Sequence, residues 1–494
     1  MSSIKKFASQ TAIYGVSTIA SRILNFFLTP IYTTVYGPRS YGVFTTMYAW
    51  ASVLNAIMAF GMETTFFRYI NKKEDKEKVY SNTFFVIAFL TALFLISTFV
   101  FLKPIAAWMQ EGKETSLSDY EKYISYFALI LSFDALSVIP FARIRAEGRP
   151  YRYALIKLIN ILSFIGLNLF FLFGISFIIK NQLPLGSWFA SWYQQEWIGY
   201  VFISNLIASI LTFLLLTPEL LKLKFRLDKD LLLEMFQYSW PVLVANLSFI
   251  INENSDKIFL EKLLPSDISD KQVGIYGACS KLAIFMNIFV QAFRLGAEPF
   301  FFSSAKDKNA KETYAVIMSY FVVALALIYV GLIVNIDLLK YFIGKSFWEG
   351  LNVVPILLLG YLSLGIYMNL SIWYKLSDQT RYGLYISGVG AILTVVLNVV
   401  FIPVYGYMAS AWISLSAYAT MMVLSYIWGQ KHYPIPYRVK RDLLYILLAT
   451  ATVYISFVLL DRNIVWGNLL FVLFAIFIFY LEKDNLKKVF SKRV

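Results

Sequence analysis

The sequence predicts an all-α, polytopic membrane protein with about fourteen transmembrane helices. Three observations carry that prediction. Apolar runs recur along the whole chain, and a hydrocarbon core about 30 Å thick needs roughly 20 apolar residues in helix. Only 15% of the 494 residues are charged while 59% are hydrophobic, against about 25% charge in a soluble domain. The apolar residues run continuously instead of alternating, which excludes the strand pattern of a membrane barrel.

In chain order the spans fall at 7–36, 41–69, 79–101, 123–141, 153–179 and 199–216, then 236–263, 273–302, 314–336, 351–373, 384–402 and 405–428, and last 443–460 and 464–481. The polar links between them are short, and every second one is rich in Lys and Arg. With the amino terminus inside, the inner links and tails carry 29 of the 44 Lys and Arg and the outer links 10, span-end residues being counted with the adjoining link. That is the positive-inside bias of membrane insertion. It accounts for the net charge of +14 without a nucleic-acid partner, and an even span number puts both termini in the cytoplasm. Lys5 and Lys6 before an apolar run also fit the start of a secretory signal. The run is too long for one, contains Arg22 and lacks a small-x-small cleavage site, so it reads as an uncleaved first helix.

Cys279 is the only cysteine and His432 the only histidine, which excludes a disulfide within the chain, a thiol metal cluster and a histidine triad. No phosphate-cradling loop or dinucleotide fingerprint occurs, so the chain carries no motif for ATP drive and no cofactor is expected. Carboxylate catalysis would need a wet platform outside the membrane, and the longest outer link, 102–122, is only about twenty residues. Trp188, Trp192 and Trp197 in the outer link after the fifth span read as an interfacial aromatic anchor.

A faint internal repeat is visible. Gly42 and Gly274 open the second span of each half, and Gly61 and Gly296 close them. Arg152-Tyr153 precede Asn168 much as Arg381-Tyr382 precede Asn398, with Gly174 and Gly406 soon after. These pairings predict a six-helix lobe at 1–225, a second at 226–436, and an extra hairpin with a basic tail at 437–494. Six helices per lobe make the repeat parallel, with a pseudo-two-fold axis along the membrane normal and a central cavity between the lobes. Transporters commonly place substrate at such an interface and rock the lobes around it. Pro30, Pro241 and Pro403, within or at the ends of spans, suit helices that bend.

An ionised residue at mid-span costs on the order of 2.5–3.5 kcal/mol, so those present must be paired, wet or functional. Ten stand out: Arg22, Glu63, Asp134, Lys157, Glu253, Asp256, Lys257, Lys281, Arg294 and Glu298. Residues four apart share a helix face, so Glu253 can pair with Lys257, and Arg294 with Glu298. The others have no opposite charge at that spacing and must pair across helices or face water. Lys157, near the inner surface, suits snorkelling. Arg22, near the centre of its span, fits two roles equally: a guanidinium fork on phosphate oxygens, or a bridge to Glu63 or Asp134. Lys281, Lys257 and Arg294 would face it from the second lobe.

The order of these features resembles the polysaccharide transporter family, the oligosaccharide-lipid flippases of the superfamily that includes multidrug extruders. The resemblance rests on YGPRSYGVF (36–44), FGMETTFFRYI (60–70), NENSDKIFL (252–260), VGIYGACSKLA (273–283) and LNVVFIPVYGYMASA (397–411). It implies a flippase, not an enzyme, for an undecaprenyl-pyrophosphate-linked glycan of O-antigen, capsule or exopolysaccharide, working in the lipid bilayer of the bacterial inner membrane. The same resemblance implies Arg22 and Arg294 as basic residues of the first and eighth helices, Lys281 as the family's lysine of the second half, and coupling to a proton or sodium gradient. Lys257 joins them in the cavity on the repeat alone, and Asp134 and Glu63 are the candidate coupling carboxylates. It names the polysaccharide polymerase and chain-length machinery as partners. A cation-coupled multidrug extruder and a peptidoglycan-precursor flippase are the alternatives. The extruder needs only twelve spans, two fewer than are read here.

Overall fold

A computed structural model describes residues 23–305 and 307–491, and among them every regular element is helical. Arg22 and the start of the first span lie outside the described residues. The main helices are α1 (Leu28–Val35), α2 (Pro38–Ala59), α3 (Met62–Lys72), α4 (Lys76–Val100), α5 (Leu102–Gln110), α6 (Leu117–Ala146), α7 (Pro150–Leu169), α8 (Gly199–Leu215), α9 (Lys229–Leu263) and α10 (Ser266–Ser303). They continue as α11 (Ala310–Val334), α12 (Val353–Leu370), α13 (Ile372–Leu376), α14 (Arg381–Tyr405), α15 (Tyr407–His432), α16 (Val439–Tyr454) and α17 (Ile464–Ser491).

Eleven described helices, some joined across a kink, are long and apolar enough to cross a membrane, and Ile23–Val35 and Gly199–Leu215 are shorter apolar helices. The outward side chains fit a lipid surround. Phe89, Leu93, Ile96 and Val100 lie three or four residues apart on α4 and are 70%, 56%, 64% and 67% exposed. One stripe of that width on a water-soluble chain would aggregate; in a bilayer it is the solvated face.

Helix ends follow local chemistry. Asp75 accepts from Lys78 N at 3.0 Å, Ser116 from Asp119 N at 3.1 Å and Asp228 from Leu231 N at 3.0 Å, capping α4, α6 and α9. The predicted span 41–69 breaks where Phe60 and Gly61 both turn left-handed, at φ +46° and +67°. The expected counterpart does not break: α10 runs through Gly296 as uninterrupted helix. Gly61 seats against the Ser239 carbonyl of α9, where a Cβ would come within 2.9 Å, and no atom approaches Gly296 so. Asn168 and Asn398 behave alike, each donating its amide to the carbonyl four residues back at 2.7 Å. Such bonds satisfy polar side chains where hydrocarbon offers no partner.

The chain divides into two compact units, Met1–Gly274 and Ile275–Val494. In the first, α2 packs on α9, while α6 meets α4, α5 and α8. Its core at one end gathers Met62, Phe66, Tyr80, Ile87, Ala135 and Met235. In the second, α12 packs on α15, α15 on α14, and α11 on α12, α16 and α17.

Two glycines singled out by the repeat meet in the first unit. A methyl group on Gly42 would strike the Asp270 carbonyl, and one on Gly274 would strike the Pro38 carbonyl and come within 2.9 Å of Gly42 N. Small residues here let two backbones touch. Gly42→Ala should therefore lower the thermal midpoint of the purified protein, at an overpacking cost of about 1–3 kcal/mol. Gly166→Ala, on a helix with open space around the position, should hold or raise it, by up to about 1 kcal/mol of helix propensity. Equal midpoints for the two variants would contradict the close approach.

Candidate functional site

The intramembrane charges are sorted by the partners the fold gives them. Glu63, at the start of α3, is held by Arg145 of α6 at 2.5 Å. Asp256 pairs with its neighbour Lys257 at 2.9 Å, a partner that same-face spacing did not suggest, and the Lys257 ammonium also donates to the Glu253 carbonyl at 3.3 Å. Lys157 lies over the Phe141 ring at 4.5 Å. Asp134, midway along α6, has an exposed side chain and lies within electrostatic reach of Ser209 of α8 and Lys157 of α7. Lys281 is half-buried on α10. Arg294 and Glu298 form the expected pair along α10, Nε to Oε2 at 3.5 Å.

That last pair has a third member. Lys375 of α13 reaches Glu298 Oε1, so one carboxylate stands between two cations. The three line a small, partly open cleft within the second unit. Its walls come from one face of α10, where Val290, Phe293, Arg294 and Ala297 recur every three or four residues, and from the α12–α13 junction. Gly365 brings α12 close to α10, since a Cβ there would lie 2.8 Å from Val290 Cγ2. Ser371 marks the break between α12 and α13 and bonds back to the Met368 carbonyl at 2.6 Å. Phe293 stacks on Phe321 with ring centroids 4.1 Å apart, which fixes the apolar wall beside Arg294. Asn369, buried in the same wall, keeps its side-chain Nδ2 without a hydrogen-bond partner. The cleft thus presents two cations, one anion and a spare donor on apolar walls. It is suited to a ligand carrying negative charge and some apolar surface.

Sequence reasoning missed Lys375 because it falls just beyond the predicted span 351–373, in a link where basic residues report topology. It also missed a buried cluster in the first unit. Lys113 contacts Glu261 and lies 3.3 Å from Asp270, and Glu261 also meets Lys262 at 3.1 Å. At the end predicted to be inner, Arg143 forks Glu77 at 2.6 and 3.0 Å and reaches Glu147 at 2.7 Å. Buried Glu219 gathers Arg149 at 2.8 Å, Lys222 at 3.1 Å and Arg152 at 3.5 Å. Burial pushes the Glu219 carboxyl up, but the hydrogen bonds from Arg149 and Lys222 outweigh it and hold the group below its ordinary value. Among the described residues no group of three or more His, Cys, Asp or Glu is placed to hold a metal ion.

Fold and cleft define a multi-pass helical membrane protein with the architecture of transporters. The chain belongs to the family described as polysaccharide biosynthesis protein, whose model matches residues 7–303. Among solved structures it is similar to the lipid II flippase MurJ in an inward closed conformation, at 15% identity and a TM-score of 0.72, covering 96% of this chain and 100% of that one. It is also similar to a multidrug resistance MATE family transporter of the MOP superfamily in an inward-facing conformation, at 14% identity and a TM-score of 0.60, over 83% and 94% of the two chains. A mutant of the Vibrio cholerae MATE transporter VcmN matches at 15% identity and a TM-score of 0.57, over 86% and 96%. No curated protein matches the chain. At these identities the likeness is one of fold: that of the MOP-superfamily transporters.

A pH dependence follows from Glu219. Its carboxyl is held below the ordinary value, so its stabilisation is present above that value and is lost as pH falls through the folded-state one. Thermal midpoints of the purified protein should drop on acidification through the carboxylate range. Glu219→Gln should start lower at neutral pH, by about 1–3 kcal/mol, and lose less as pH falls. Parallel curves for the two proteins would remove Glu219 from the account.

Proposed function

We propose that this chain is a flippase that moves a polyprenyl-pyrophosphate-linked oligosaccharide, of O-antigen, capsule or exopolysaccharide type, from the cytoplasmic to the outer leaflet by alternating access. The observation that carries the reading is the cleft in which Arg294 and Lys375 share one carboxylate. A pyrophosphate needs fixed cations, and Arg can fork two of its oxygens. Membership in the polysaccharide biosynthesis family supports a glycan as the remainder of the substrate. The apolar stripes on the helix exteriors leave the polyprenyl tail in lipid. Lys281 and Lys257, and Arg22 outside the described residues, remain candidates for contact with the headgroup on the sequence alone.

The setting we infer is the bacterial inner membrane, with both termini cytoplasmic as the Lys and Arg bias requires, and with a polysaccharide polymerase and its chain-length machinery as downstream partners. A proton or sodium gradient would supply the drive. Asp134 is the better coupling carboxylate, because Glu63 is already held in an ion pair by Arg145 while Lys157 acts on Asp134 only at longer range.

A peptidoglycan-precursor flippase is the second reading, favoured by the likeness to the lipid II flippase over 96% of the chain. Deletion followed by analysis of lipid-linked glycans in the membrane separates the two. A non-peptidoglycan lipid-linked oligosaccharide should accumulate and surface glycan should disappear; accumulation of peptidoglycan precursor would favour the second reading, and no lipid-linked accumulation would overturn both. In the deletion strain, Arg294→Ala should leave protein level normal and restore less than about a tenth of surface glycan, which is the loss of one charge-assisted contact of about 1.4 kcal/mol or more. Full restoration would remove Arg294 from the path.

A further inference from the structure

The α10–α12–α13 cleft has an internal charge arrangement that goes beyond holding a cation for the headgroup. Glu298 lies between Arg294 on its own helix and Lys375 on α13, and the two contacts differ in quality. Lys375 makes a close bond to Oε1, whereas Arg294 approaches Oε2 only to 3.5 Å, at Nε, so its guanidinium is held less tightly by the carboxylate. Asn369 supplies the second, independent sign. It is 7% exposed, it lines the cleft, and its Nδ2 has no hydrogen-bond partner. A buried amide donor left unpaired costs about 1–3 kcal/mol, and a ligand acceptor in the cleft would recover it. The other titratable groups near the pair are tyrosines: Tyr374 lies within electrostatic reach of both Arg294 and Glu298, and Tyr367 of Arg294. Neither brings a fixed charge.

We propose that Arg294, Lys375 and Asn369 form a seat for a phosphate-type oxyanion, in which Glu298 is the counter-ion held when the seat is empty and displaced when the anion arrives. The inference rests on the flippase reading only for the natural source of that anion. An entering oxyanion takes bonds from the Arg294 fork, the Lys375 ammonium and the Asn369 amide. Glu298 then faces the oxyanion as a like charge and must swing away to water or take up a proton. The resident carboxylate therefore weakens anion binding in every state in which it is ionised, which keeps the seat from retaining its ligand. Lys375 has two parts, holding Glu298 in the empty seat and contacting the anion in the filled one.

The test uses the full-length protein in detergent or nanodiscs with inorganic pyrophosphate as the probe. Lys375→Met and Asn369→Leu should each weaken pyrophosphate binding about tenfold. Glu298→Gln should tighten it several-fold, since the competing negative charge is gone. Where Glu298→Gln fails to fold, Glu298→Ala carries the same question and should likewise bind pyrophosphate several-fold more tightly. Wild-type protein that binds no pyrophosphate, unchanged affinity in Lys375→Met and Asn369→Leu, or weaker binding once the Glu298 carboxylate is removed would each overturn the seat. Surface-glycan complementation by the same variants separates this failure from that of the flippase reading. Restored glycan with unchanged binding sinks the seat alone, and a binding pattern as expected in a chain whose deletion leaves surface glycan intact sinks the flippase alone.

Discussion

Hydrocarbon as solvent is the constraint on which the rest of this structure depends. It leaves no water to satisfy a backbone amide, a hydroxyl or a charge, so a polar group in a span that finds no partner within the protein carries a cost. Thr45 and Thr83 turn back to carbonyls four residues earlier at 2.8 and 2.7 Å. Asn168 does the same with its amide while its oxygen accepts from Tyr32 at 2.9 Å. Charges answer the same demand in pairs and clusters. The exterior follows by inversion: large apolar side chains that a soluble fold would bury stand outward along α4 and α14, among them Ile392, Val396 and Val400.

Where those charge clusters lie separates scaffold from site. Arg143 with Glu77 and Glu147, and Glu219 with Arg149, Arg152 and Lys222, tie α4, α6 and α7 together at one end of the first unit through several bonds each. A fork between guanidinium and carboxylate fixes orientation as well as distance. Such multiply bridged networks hold helices in register. The Arg294–Glu298–Lys375 trio instead lines an open cleft. Two cations share one carboxylate, one of the contacts is long, and an amide beside them is unpaired.

The membrane class and most of the helices were legible from run length alone, because spanning a bilayer sets a length that no local preference can disguise. Pairing along one helix was legible too: Arg294 and Glu298 share a face at four residues' separation, and the structure joins them. Partners distant in sequence were not. Lys375 looked like a topology residue, and nothing local connects Lys113 to Glu261 across roughly 150 residues, yet the fold buries them together. The break at Phe60–Gly61 escaped for a related reason. Gly61 and Gly296 read alike in sequence, and only the approach of the Ser239 backbone makes one of them a turn.

A carrier must hold a charged headgroup long enough to move it and then let it go. A seat built from cations alone in a low-dielectric wall would bind an oxyanion too well, since Coulomb energies grow several-fold as water is excluded. A seat with matched opposite charges would be neutral and indifferent. The intermediate composition found at the α10–α13 contact, two cations against one carboxylate, avoids both extremes. Its net positive charge favours an anion, and its resident carboxylate is poised to reclaim the cations when that anion leaves. The carboxylate belongs to the same helix as Arg294, one turn away, so it competes at short range without any large movement of the fold. On this reasoning Glu298 is as much a part of ligand release as the basic residues are of ligand capture.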